Sequence, residues 1–322
     1  MITHGLIPIH PLTLVPNYLV GTNVYLWNEK TGSTVKFLSS EQMVTESTFR
    51  FLLANPSQKV FVEDSCHRSY QDYLLEHLKD WLMDSRIPRI LKTAVIAETL
   101  HVQLSKAFEH QSVRPWIECC IEGSRCLAQH GQHIQLNGRE LQRTLRHDSS
   151  FVTHAINTAF YAYLIAESRG YSEETISEIC TGAMLHDIGK MEQSFLDCNA
   201  DLHLESQHDW TQRNSQSHPT LGFRMLCREP NIKQTHLMVC YQHHERPDGN
   251  GFPVGLLGDE IHEASKICAV ANRFDGLTSA RSHRAAMTRL AALRVLESER
   301  NTALDSEVTK CLEQKMSQTS TN

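Results

Sequence analysis

The stretch Gln242-His243-His244-Glu245-Arg246-Pro247-Asp248-Gly249-Asn250-Gly251-Phe252-Pro253 sets two adjacent histidines before a run of charges and a glycine-rich turn closed by proline. Upstream stand His154, the pair His186-Asp187 followed by Gly189-Lys190, and His218. Downstream stands Ala271-Asn272-Arg273-Phe274-Asp275. Neutral imidazole together with carboxylate suits zinc, iron, manganese or nickel better than calcium or magnesium. Asp187 has two oxygens and is able to bridge two ions. The set reads as one metal-centred hydrolytic site. A lone helix-end histidine such as His154 or His218 is more often a capping or half-buried residue, so the order of the pieces within one helical region makes the case. His203, His208, His236 and His262 have no such company and read as surface or packing residues.

These side chains need helices to converge. Two adjacent histidines cannot share one narrow helical stripe. His243 and His244 are therefore expected at a helix end, where a loosened last turn brings both rings together. His186-Asp187 likewise closes an apolar run. Helical spacing runs over Phe151–Ser168, from the Ser172 cap through Met184, and over Pro219–Cys227, Ile232–Gln242, Ala264–Thr278, Arg284–Glu297 and Ser306–Gln314. Residues 147–316 thus read as an all-α bundle, and 317–322 as a disordered tail. Residues 69–146 read as a helical connecting region, with spacing over Tyr70–Met83 and Leu91–Phe108 and a further helix from Pro115 to about His130. Residues 1–68 read as a small mixed α/β unit of regulatory or docking type. It has strands in Asn17–Asn28, Thr34–Leu38 and Lys59–Val62, a turn at Glu29–Gly32, and a helix from Ser40 to about Ala54. The fold class is α+β overall.

The chain has 322 residues, room for about two domains. Its net charge of −6 argues against a nucleic-acid duplex as partner, so an anionic ligand must meet a local cationic site. Ten cysteines form no CxxC pair and lie in apolar runs, as reduced thiols do. No window approaches the ~20 apolar residues of a membrane span, and no signal peptide opens the sequence. A cytoplasmic protein is expected.

Four segments together resemble a known family: HDIGK at 186–190, SHPTLG at 217–222, HHERPDGNGFPVGLLGDEI at 243–261 and ANRFDGLTS at 271–279. They are similar to the HD-GYP family, a branch of the HD metal-dependent phosphohydrolases that resembles bacterial cyclic-di-GMP phosphodiesterases. The likeness covers residues 147 to about 316. It implies an HD-type helical bundle holding two divalent transition-metal ions, iron, manganese, nickel or zinc. His154, His186, Asp187 and position 272 would hold the first, and His218, His243 and His244 the second, with Asp187 shared. Lys190 would face the phosphate, and Arg281 and Arg284 would contact it. Gly251-Phe252-Pro253 stands in place of Gly-Tyr-Pro, keeping the ring and losing the hydroxyl. The implied reaction is hydrolysis of cyclic di-GMP to pGpG or GMP by a metal-activated hydroxide.

Four departures bear on that implication. Asn272 replaces the family's last metal-ligating aspartate and offers a carbonyl oxygen without charge, which weakens the first ion's site. Ser150 stands where three-metal members have a glutamate, so two metals at most are expected. The family's Lys-Pro-Gly segment is missing from the polar stretch Phe195–Gln216, which puts the substrate lid in doubt. Lys266 stands for an arginine. Two functions stay open: a cyclic-di-GMP phosphodiesterase, or an impaired relative that binds the nucleotide or a regulatory protein without turnover. A homodimer through residues 69–146 also stays open.

Overall fold

A computed structural model describes residues 5–55, 58–109, 113–191, 216–281 and 284–318. They fall into two units. One holds residues up to Gln103 with His133–Leu136 and Glu140–Leu145, and the other holds the rest.

In the first unit, strands β1 (Leu6–Ile9), β2 (Val24–Asn28), β3 (Ser33–Leu38) and β4 (Val60–Glu63) make an antiparallel sheet in the order β1-β4-β2-β3. β2 and β3 form the expected hairpin, Asn28 pairing with Ser33. β1 was not expected; it is four residues long and pairs with β4. Helix α1 (Glu46–Ala54) starts later than Ser40, because Leu19 bridges Met43 and Asn17 N–H bonds to Val44 O. Thr45 then caps the helix through Thr48 N–H.

Helices α2 (His67–Met83) and α3 (Arg89–Glu109) follow. Tyr70, Tyr73, Leu74 and Trp81 of α2, and Val95 and Val102 of α3, join the same core as Val24, Val60 and Val62 of the sheet. The helical region after residue 68 therefore begins inside the first unit. Its apolar stripe covers the sheet, as a half-exposed sheet face requires.

The second unit contains most of α4 (Val113–Ile134), then α6 (Phe151–Ser168), α7 (Glu173–Leu185), α8 (His218–Leu226), α9 (Gln234–Gln242), α10 (Glu263–Thr278), α11 (Arg289–Ser298) and α12 (Ser306–Ser317), while most of the short α5 (Gly138–Thr144) falls to the first unit. α6 is buried on every side from Val152 to Ala166, except for half-buried His154. A helix apolar all round belongs at the centre of a domain. α7, α10 and α12 pack on α6, and α9 packs on α7, α8 and α10. α11 starts at Arg289, five residues after the expected Arg284, because Thr288 caps it through Ala291 N–H. Of the expected tail, Ser317 ends α12, and 319–322 lie outside the described residues.

Gly189 shows how tightly the site's helices meet. A Cβ there would lie 2.0 Å from His218 O and 2.6 Å from Gly222 N. Only glycine lets the end of α7 reach the start of α8.

His236 is 3% exposed, and its Nδ1 accepts from Lys233 N–H at 3.2 Å. Burial pushes its imidazole down from 6.5 to about 4. The unfolded chain therefore takes up this proton first, so stability falls as pH drops from about 6.5 towards 4. Urea midpoints are expected to correspond to about 1–2 kcal/mol less stability at pH 5 than at pH 7. The gap should narrow in His236→Asn; an equal gap in both proteins would remove His236 from the account.

Candidate metal centre

Three histidines have one ring nitrogen committed to the protein, which fixes their tautomers. His186, just past α7, donates from Nδ1 to Ala183 O at 2.7 Å. His243, just past α9, donates from Nδ1 to Cys240 O at 3.0 Å and Val239 O at 3.2 Å. His154, on the first turn of α6, donates from Nδ1 to Asp275 Oδ2 at 2.6 Å. Donation from Nδ1 leaves Nε2 as the nitrogen turned to the centre, the arrangement that metal-ligating histidines use. His218 opens α8, with Pro219 in its first turn. The last turn of α9 does loosen at His243, and the His243 and His244 rings come within 4.2 Å.

The Nε2 atoms of His154, His186, His218 and His243 converge on Asp187, which is 3% exposed. Its two oxygens face different sets. Near Oδ1 lie His218 Nε2 at 3.1 Å and His243 Nε2 at 3.6 Å. Near Oδ2 lie His186 Nε2 at 3.3 Å and His154 Nε2 at 3.8 Å, and Lys190 Nζ bonds to that same oxygen. Two groups of donors result, each compact enough for a cation: Asp187 with His218, His243 and His244, and Asp187 with His154 and His186. His218 Nε2 and His243 Nε2 lie only 3.2 Å apart.

Electrostatics fit the same picture. Burial works to raise the Asp187 carboxyl, yet the neighbouring His186 and Lys190 together hold it well below the usual carboxylate range. Burial pushes His186 down, His243 to about 3, and His244 far down. The site is thus an anion ringed by neutral imidazoles. Asp187 Oδ1 and His186 Nε2 are buried without a well-aligned hydrogen bond, although His218 Nε2 lies near the first and Asp187 Oδ2 near the second. Buried polar atoms left bare cost free energy unless something binds them. Divalent ions of the zinc, iron, manganese or nickel kind match this donor set.

The turn after His244 closes one side of a cleft of 760 Å³ lined by His243, His244, Phe252, Asn272, Arg281 and Arg284, among others. Phe252 stacks on His244 with ring centroids 4.5 Å apart and planes 17° apart. The Phe252-Pro253 bond is cis. At Gly251 a Cβ would lie 2.4 Å from Arg246 N and 2.5 Å from Glu245 Cα, so the turn excludes any side chain there. Glu245 holds the loop. It is 3% exposed, and its carboxylate accepts from Val254 N–H at 2.7 Å, Gly255 N–H at 3.0 Å and Leu256 N–H at 2.9 Å. Sequence reasoning found no role for it; its partners nine to eleven residues on are visible only once the loop is folded.

Other expected site residues fall as follows. Arg281 is exposed at the cleft, and its backbone pairs with that of Arg284. Arg284 donates to Leu277 O at 2.9 Å, Ala285 O at 3.2 Å and Gly276 O. Its guanidinium thus closes the C-terminal end of α10, a cap's role as well as a rim position. Asn272 lines the cleft one turn before Asp275. Ser150 accepts from Thr153 N–H at 3.2 Å as the cap of α6. His262 caps α10 through Ala264 N–H, a packing role. His203, His208 and the stretch from Phe195 up to residue 215 lie outside the described residues. Among the described residues, no helix is long and apolar enough to cross a membrane.

Comparison with known proteins bears on this geometry. A family profile described as an HD domain matches residues 135–308. A cyclic di-GMP phosphodiesterase response regulator, RpfG, from Xanthomonas campestris is 38% identical over 147 residues, covering 45% of this chain and 38% of that protein. A 3'3'-cGAMP-specific phosphodiesterase 3 from Vibrio cholerae is 35% identical over 155 residues, covering 48% of this chain and 33% of that protein. The matched stretch is thus well under half the length of either relative. Among solved structures, Bd1817, described as an HDG"Y"P protein from Bdellovibrio bacteriovorus, aligns with a TM-score of 0.65 at 17% identity, over 96% of this chain and 98% of that one. That likeness is one of fold.

Proposed function

The chain belongs to the HD domain family, and from that premise we propose that it is of the HD-GYP type and a metal-dependent phosphodiesterase that hydrolyses cyclic di-GMP to pGpG or GMP. One observation carries the proposal: the two oxygens of buried Asp187 face two separate sets of imidazole nitrogens. Divalent ions bound there supply a nucleophile from water at neutral pH and polarise a phosphoryl oxygen. His154 and His186, with Asn272 as the family pattern implies, would hold one ion; His218, His243 and His244 the other; Asp187 both.

The chain's own groups do the rest. Lys190 stands at the rim of the centre with its side chain 44% exposed, close enough to place a cation by a scissile phosphate. Arg281 offers a second cation at the cleft. Phe252, held flat on His244, presents an aromatic face against which a base or sugar can pack. The cleft's volume suits a ligand of dinucleotide size. The names of the relatives support a cyclic dinucleotide as the substrate class.

A second reading, binding without turnover, rests on Asn272 and on the engagement of Arg284 with backbone carbonyls. Metal analysis with a cyclic-di-GMP turnover assay on wild type and Asn272→Asp separates the two. We expect wild type to turn over, and Asn272→Asp to bind the ion at the His154 half-site about 10-fold or more tighter, since a carboxylate replaces a neutral amide. Activity present only in Asn272→Asp would leave the natural chain a binder.

A further inference from the structure

Asp275 lies on α10 one turn past Asn272 and is 1% exposed. Its Oδ2 accepts from His154 Nδ1 at 2.6 Å. Its Oδ1 accepts from Asn157 Nδ2 at 2.7 Å and Ser279 Oγ at 3.0 Å. Asn157 in turn donates to Arg146 O at 2.8 Å. As packing alone, this is a buried carboxylate joining α6 to α10 and satisfied by three donors. Two features go beyond packing. The shortest of the contacts, at 2.6 Å, is to the ring nitrogen opposite the one that faces Asp187. And Asp187 is the only carboxylate among the donors of that half-site in the described residues.

We propose that Asp275 is a positioning residue for the ion held by His154, His186 and Asp187. It locks His154 as the Nδ1–H tautomer and lends negative charge, through the ring, to a half-site in which Asp187 is the sole carboxylate donor among the described residues. The proposal rests on the metal reading above. A carboxylate accepting from the far nitrogen orients an imidazole and raises the donor strength of its other nitrogen. The charge enters through His154 and needs no contact between Asp275 and the ion. Asn157 and Ser279 hold the other carboxylate oxygen, so the charge cannot swing away.

Two measurements on the full chain test this. The first is the ¹⁵N spectrum of the metal-free wild type, which needs no substitution. His154 is expected protonated at Nδ1 and bare at Nε2; protonation at Nε2 would overturn the proposal. The second is Zn²⁺ titration against a competing chelator, in a His218→Ala/His244→Ala background that leaves only the His154 half-site. There Asp275→Asn is expected to weaken binding about 10–100-fold, the usual cost of losing such a partner. In a His154→Ala background, which reports the other half-site, the same substitution should change nothing. Equal loss at both half-sites, or at neither, would show that Asp275 only packs. Should Asp275→Asn fail to fold, Ser279→Ala keeps the His154 contact and should retain both the tautomer and the affinity; a lost tautomer there would count against the proposal. Wild type binding no Zn²⁺ while showing the expected tautomer would overturn the metal reading and leave only the hydrogen bond.

Discussion

Asp187→Ala is expected to remove both ions at once and to lower turnover of cyclic di-GMP about 10³-fold, the upper range for loss of one electrostatic stabiliser. The reason lies in the two-sided carboxylate. Oδ1 serves the His218 and His243 side, while Oδ2 serves His154, His186 and Lys190. A substitution at His154 or His218 removes one donor from one half-site. Alanine at 187 removes the shared donor and the only negative charge within either group of donors among the described residues. The five imidazoles would remain, most of them buried. Metal analysis beside steady-state turnover checks this. One ion retained at wild-type affinity would mean that Asp187 is not shared.

The second large effect is expected at Glu245, which touches no substrate in this account. Glu245→Ala leaves the N–H groups of Val254, Gly255 and Leu256 without their acceptor. Each such loss costs about 1–3 kcal/mol where water cannot replace the acceptor, and part of this loop is exposed, so about 2–4 kcal/mol in all is expected. For a domain of this size the melting temperature should fall by about 5–15 °C. The loop would no longer hold Phe252 flat on His244, so turnover should fall even below the melting range. Differential scanning calorimetry with turnover at 20 °C reads both. An unchanged melting temperature would show that the carboxylate is dispensable to the loop.

What was legible in the sequence was the chemistry that is local in the chain. His186-Asp187 and His243-His244 are adjacent pairs at helix ends, and a loosened last turn is enough to aim both members of each pair. Helix α6 matched its expected span because its Ser150 cap and its apolar run agree. What escaped was set by partners far off. The His154 to Asp275 bond spans 121 residues, so nothing local in the chain pairs the two. Glu245 looked like one more charge before the turn. Arg284 looked free for phosphate, and only the fold shows three backbone carbonyls taking its guanidinium. β1 was invisible because four residues including a proline make a weak strand signal until β4 pairs with them.

The central claim is metal-dependent hydrolysis of a cyclic dinucleotide at Asp187. It is tested most directly by incubating the full chain, loaded with Mn²⁺ or Fe²⁺, with cyclic di-GMP and resolving the products by chromatography, before and after chelation. The account predicts pGpG or GMP from the loaded wild type, none after chelation, recovery on adding the ion back, and none from His244→Ala. Cyclic di-GMP left intact by a wild type that holds its ions, or product formed equally after chelation, would contradict it.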